Sequence, residues 1–152
     1  MRNNLITAIK DSVTTALAQA DLKDVSVSED ADKNTVTLGG TLHSNEAKQQ
    51  MLGVPASTLR DHGAVSRQTA EAMARGALGK ADADLVVAIT GIAGPGGGSP
   101  DKPVGLVHFA TASRNGRLVH AEMRYGDVGR AEVRHKSVLQ ALTMLQELAE
   151  TK

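Results

Sequence analysis

Apolar positions fall into several patterns along this chain, and each pattern predicts a different element. Near the start, Leu5, Ile6, Ile9, Val13, Ala16 and Leu17 recur at helical spacing behind Asn3 or Asn4 as a cap, so an amphipathic helix is expected to about Gln19. Alternation follows. Val25 and Val27 interleave with Ser26 and Ser28, an acidic turn carries Asp32-Lys33-Asn34, and Thr35 to Leu38 resumes, which predicts two hairpin-linked strands. Gly39-Gly40 is expected to break or bulge the second of them. Ser44 caps a short helix through Met51, ended by Gly53 and Pro55. A further helix begins at Val65-Ser66, where Val65 can staple onto Ala70, and Ala70, Met73, Ala74, Ala77 and Leu78 form its buried stripe.

Leu85 to Ile89 is uninterrupted apolar sequence, the mark of a central strand covered on both faces. Val104 to Ala112 and Leu118 to Tyr125 flank Asn115-Gly116, a two-residue hairpin signal. In that register Thr111 faces His120 and His108 faces Met123, so His108 and His120 point to opposite faces and no histidine metal pair is expected. The chain closes with a helix from Arg130 to Ala149, with Val133, Val138, Leu139, Ala141, Leu142, Leu145 and Leu148 inward. The sum is a single α/β domain over residues 1–152, with helices packed on a mixed β-sheet.

Composition narrows the function classes. The 152 residues amount to one domain, and Lys plus Arg balance Asp plus Glu at 17 each, which disfavours electrostatic capture of nucleic acid. Phe109 and Tyr125 are the only aromatics, so bases have no stacking platform. The absence of cysteine excludes disulfides, thiolate nucleophiles and thiolate zinc sites. The apolar run Leu5 to Ile9, closed by Lys10-Asp11, is too short for a signal-peptide core or a membrane span. A soluble cytoplasmic protein with no membrane partner, metal or cofactor is the expectation.

The stretch Thr90-Gly91-Ile92-Ala93-Gly94-Pro95-Gly96-Gly97-Gly98-Ser99 changes the picture most, because an apolar strand delivers a glycine-dense loop at its carboxyl end. Such loops bring backbone N–H groups close to an anionic or planar ligand. The spacing is neither a P-loop nor a dinucleotide fingerprint. A mobile connection between two strands is the competing reading.

From Ser44 onward the chain resembles the CinA C-terminal domain, the family of nicotinamide mononucleotide deamidases. The residues that carry the resemblance are Ser44-Asn45-Glu46-Ala47-Lys48-Gln49, Leu52-Gly53-Val54, His62-Gly63-Ala64-Val65-Ser66, Thr90-Gly91-Ile92-Ala93-Gly94-Pro95 with Gly97-Gly98, and Lys102-Pro103-Val104-Gly105. Gly126-Asp127, Arg130 and Arg134 resemble the family's lead into its last helix, spread by an apparent insertion of Val128-Gly129. The first third lacks the family's glutamate-serine-cysteine-threonine-glycine-glycine segment. Val13 to Gly40 is instead similar to the first half of a BON domain, which divides the chain into a BON-like segment (1–43) and a CinA-like segment (44–152), as a chimera would.

The resemblance implies amide hydrolysis by a serine nucleophile with a tyrosine and a lysine nearby. Lys48 matches the lysine, His43 stands at the tyrosine position, and nothing occupies the nucleophile position. Ser44, adjacent to His43, is read as a helix cap. Thr90, Gly91, Gly94, Gly97, Gly98, Arg130 and Arg134 are the implied substrate-binding residues, for a nicotinamide nucleotide, and a homodimer is implied. For Arg130 and Arg134 solvated helix charge competes with a phosphate role, for Lys102 loop surface competes with substrate contact, and Asp127 is read as a helix cap or first-turn charge. Without a nucleophile the expectation is negligible deamidase activity, and a BON-like binding module is the alternative function.

Overall fold

Small side chains let helix and sheet approach closely in the larger part of this molecule. Ala70 and Ala74 on one helix meet Ala88, Ala110 and Ala112 on the sheet, all buried, with Val54, Leu59 and Met73 filling the remaining space. The structure, a computed structural model, describes residues 25–30, 35–40 and 45–151, and it divides into two compact units, Met1–Ser44 and Asn45–Lys152. The helix expected over residues 3–19, the turn at Asp32-Lys33-Asn34, and His43 and Ser44 lie outside the described residues.

In the first unit β1 (Val25–Asp30) and β2 (Thr35–Gly40) form the expected antiparallel pair. Gly39 and Gly40 do not break it. They stay in the ladder opposite Ser26 and Val25, because a glycine keeps both backbone hydrogen-bonding groups even though it offers no side chain to pack.

The second unit runs α1 (Asn45–Leu52), α2 (Ala56–His62), α3 (Arg67–Lys80), β3 (Leu85–Gly91), β4 (Leu106–Ser113), β5 (Leu118–Arg124) and α4 (Arg130–Glu150). The three strands form a sheet in the order β3-β4-β5, antiparallel throughout, so the described strands supply no parallel pairing of the kind a mixed sheet contains. Side chains alternate across it. Val86, Ala88, Ala110, Ala112 and Leu118 pack against the α1–α3 side. Val87, Val107, Phe109, Ala121 and Met123 pack against Val133, Ala141 and Met144 of α4.

Three expectations are corrected here. Among the described residues β3 is a terminal strand of the sheet, with Ile89 37% exposed, while β4 is the central one and is buried along its whole length. Its polar His108 and Ser113 are accommodated because each has a hydrogen-bond partner, His120 and Asn115. Only Thr111 Oγ1 is left without one among the described buried side chains. On α4 the inward residues are Val133, Ser137, Ala141, Met144 and Leu148, whereas Val138, Leu139 and Leu142 are more than half exposed. Ser137 can take a buried position because its hydroxyl donates to Val133 O at 2.7 Å.

The third correction concerns register. The β4–β5 connection is a three-residue loop, Arg114 to Gly116, closed by Ser113 N donating to Arg117 O at 3.0 Å, with Gly116 at φ 92°. One residue more in the loop than expected shifts the pairing by one position, so Ala110 lies opposite His120 and His108 opposite Glu122. Both histidines therefore project from the α3-facing side of the sheet.

The junction of α1 and α3 is the tightest in this unit. A Cβ on Gly76 would lie 1.5 Å from Leu52 O, and Lys80 Nζ donates to Gln50 O at 2.8 Å across the same contact. Gly76→Ala is expected to destabilise the protein by about 3 kcal/mol through overpacking against backbone. Gly79→Ala, three residues on in open space, is expected to add roughly 0.5–1 kcal/mol of helix propensity. Urea unfolding of the two variants checks the contrast.

Candidate functional site

Gly63, at φ 75°, turns the chain between α2 and α3, where the carbonyls of His62, Gly63 and Ala64 follow one another at the end of α2 and the start of the turn. Side chains from three other places answer them. Lys102 Nζ donates to His62 O at 2.7 Å. Thr69 Oγ1 (2.7 Å) and Ser66 Oγ (3.1 Å) donate to Gly63 O. Thr90 Oγ1 donates to Ala64 O at 2.7 Å. Ser66 is the N-cap of α3, its oxygen accepting from Thr69 N at 3.1 Å, as its position before the helical stripe predicts.

The glycine loop is anchored by these ties and by its own base, where Ile92 N donates to Leu106 O (2.9 Å) and Gly105 N to Ile92 O (2.7 Å). Ser99 N to Lys102 O and Lys102 N to Ser99 Oγ close a turn within it. A Cβ at Gly94 would lie 2.7 Å from Val104 Cγ1, and one at Gly98 would lie 2.8 Å from Val104 N. The glycines thus allow the two arms of the loop to pack on each other. Hydrogen bonds hold the loop at Ile92, Ser99, Lys102 and Gly105.

The structure brings together part of the expected constellation. Arg130, the first residue of α4, donates from its guanidinium to Gly94 O at 3.3 Å, and Arg134 stands exposed one turn further on. The N-cap of α4 is Gly129 with no side-chain cap bond, so Asp127 does not cap the helix; its Oδ1 lies by Gly94, 3.8 Å from where a Cβ would sit. Thr90 and Gly91 end β3, with the Thr90 proton committed to Ala64 O, and Gly97 and Gly98 are exposed. Lys48 sits on a different element, α1, where it is buried and burial holds its amine below the usual lysine range.

Sequence reasoning missed a cleft of about 430 Å³ whose lining includes His62, Ser66, Arg67, Lys102, His108 and Arg124. Four chain segments contribute to it, and no periodicity links them. In the same region His108 Nδ1 and His120 Nε2 are 3.0 Å apart, with the rings stacked at 5.3 Å between centroids. Burial lowers the pKa of both. For His108 the Glu122 carboxylate opposes that effect, while His120, Lys102 and Arg124 add to it. For His120 Arg67 adds to it, while Glu71 and Glu122 oppose it. Glu122 itself is held below the usual carboxylate range, first by its hydrogen bond from Arg124 at 2.8 Å.

The larger unit is an α/β sandwich with a packed glycine loop leaving the carboxyl end of a terminal strand. The particular family follows from comparison: the model of the CinA C-terminal domain matches residues 1–149, and the chain belongs to that family. A CinA-like protein of Synechococcus sp. is 46% identical over 145 residues, 94% of this chain and 33% of its own length. A putative competence-damage inducible protein of Thermoanaerobacter pseudethanolicus is 41% identical, over 95% of this chain and 34% of its own. The chain spans about a third of the length of these relatives.

Among solved structures, the competence/damage inducible protein CihA from Agrobacterium tumefaciens is similar with a TM-score of 0.71 and 59% identity, over 72% of this chain and 66% of that one. The competence damage-inducible protein A from Klebsiella pneumoniae gives 0.66 and 39%, over 72% and 67%. The family match begins at residue 1, and no comparison supports a BON-like first third or a chimera.

Thr90→Val keeps the shape of the side chain and removes the donor to Ala64 O. It is expected to cost about 1 kcal/mol, the loss of a partly buried hydrogen bond, and to raise amide exchange at residues 63–66. Urea unfolding and hydrogen exchange measure both effects.

Proposed function

We propose that this chain is a nicotinamide mononucleotide deamidase scaffold that retains ligand-binding groups and lacks the nucleophile for turnover. The observation that carries the reading is the juxtaposition of Arg130 with Gly94 at a packed glycine loop in a chain of the CinA C-terminal family. A guanidinium has five N–H donors and the Gly94 carbonyl takes one here, so Arg130 keeps donors for a phosphate. Nearby, the unpaired N–H groups of the first turn of α4 favour the same charge.

Deamidation of a carboxamide requires a nucleophile to attack the carbonyl carbon, a base to take its proton, and departure of ammonia. Lys48 fits the base, since an amine whose pKa is lowered by burial is more readily neutral and able to accept a proton. The nucleophile has no counterpart, because the glutamate-serine-cysteine-threonine-glycine-glycine segment is absent from the sequence. Loss of a nucleophile removes on the order of 10⁴-fold or more of rate while leaving binding groups in place.

Two measurements on the pure protein test this. Ammonia release from nicotinamide mononucleotide is expected to stay at background, and the same compound is expected to raise Tm, by an amount that is lost in Arg130→Ala. Turnover at a normal enzymatic rate would refute the missing-nucleophile reading. A Tm indifferent to the nucleotide would refute retained binding.

A further inference from the structure

We propose that His108 and His120 form a binding site for one divalent transition-metal ion of the zinc class, with His108 ligating through Nδ1, His120 through Nε2, and water completing the coordination. The two nitrogens converge at 3.0 Å from adjacent strands, His108 being buried against the sheet and His120 partly exposed. Zinc–imidazole bonds of about 2.0–2.1 Å in tetrahedral geometry put two ligating nitrogens about 3.3 Å apart. Only a few tenths of an ångström of side-chain adjustment separates the observed pair from that spacing.

A second observation concerns the far side of the His108 ring. Glu122 Oε2 lies 4.0 Å from Nε2, the nitrogen that does not face His120. At that distance the carboxylate acts through its charge rather than a hydrogen bond, which favours the N–H on the distal nitrogen and leaves the lone pair on the proximal one. With metal bound, the proton that His108 and His120 share returns to the far nitrogen of its ring. His108 is then the Nε2–H tautomer and His120 the Nδ1–H tautomer, with no change in charge. The cleft lined by His108 gives an approach from solvent.

Imidazole donors select zinc, nickel or copper over magnesium or calcium. Among the described residues no set of three histidines or carboxylates converges on one point, so the ion has two protein ligands. The other charged groups facing the pair are Arg67 and Glu71 from α3, Lys102 from the glycine loop and Arg124 from β5.

The test titrates zinc chloride, followed by calorimetry, into the full chain carrying no histidine tag. One equivalent is expected to bind. Binding should be lost in His120→Ala, weakened by about tenfold in Glu122→Gln, and unchanged in His135→Ala on the exposed side of α4. Should His120→Ala fail to fold, ring-nitrogen resonances of the wild type decide: a joint shift of His108 Nδ1 and His120 Nε2 on adding zinc supports the site. No zinc uptake by the wild type, undiminished uptake by folded His120→Ala, or unmoved ring nitrogens would each overturn it and leave a pair that only shares a proton.

Discussion

Three neighbouring carbonyls, those of His62, Gly63 and Ala64, organise everything around the glycine loop. A turn between two helices cannot answer its own carbonyls with helical N–H groups, and a partly buried carbonyl gains from any donor that reaches it. Here the answers come from Lys102, from Ser66 and Thr69, and from Thr90. These donors come from three elements, so satisfying one short stretch of backbone fixes the loop, the start of α3 and the end of β3 against one another. The loop's place is thereby set by groups outside its glycines.

How much of this was readable in advance depended on whether the deciding signal was local. The start of α3 was readable, because a serine before a helical stripe has one structural use and Ser66 performs it. The β1–β2 hairpin was readable from alternation. The order of strands was not. An apolar run marked Leu85 to Ile89 as central, yet β4 holds that place while carrying the hydrogen-bonded His108 and Ser113. Hydrophobicity separates a central strand from a terminal one only when polar side chains lack partners, and partners are a property of the folded chain. The inward face of α4 failed for the same reason: Ser137 bonds its own helix and is buried, while Leu139 and Leu142, which a count of apolar residues would have buried, are exposed.

The site divides along the same line. Motifs from Ser44 onward resembled one family, and the match to that family extends from residue 1 to 149. Gly94 and Arg130 could be named from those motifs, and they meet in the structure. The roles of Lys102 and Thr90 as ties, and the cleft beside them, depend on contacts between residues far apart in sequence and could not be named that way.

Loops are ordinarily where a protein accepts insertions and deletions without consequence. The connection from Arg114 to Gly116 is an exception, because the pair it closes, Ser113 with Arg117, decides which side of the sheet every following β5 side chain occupies. A slip of that pairing by one residue would carry His120 and Glu122 to the α4 face and bring Val119 and Ala121 beneath α3. The pair that closes this tip, Ser113 with Arg117, thus fixes the face on which the two histidines meet.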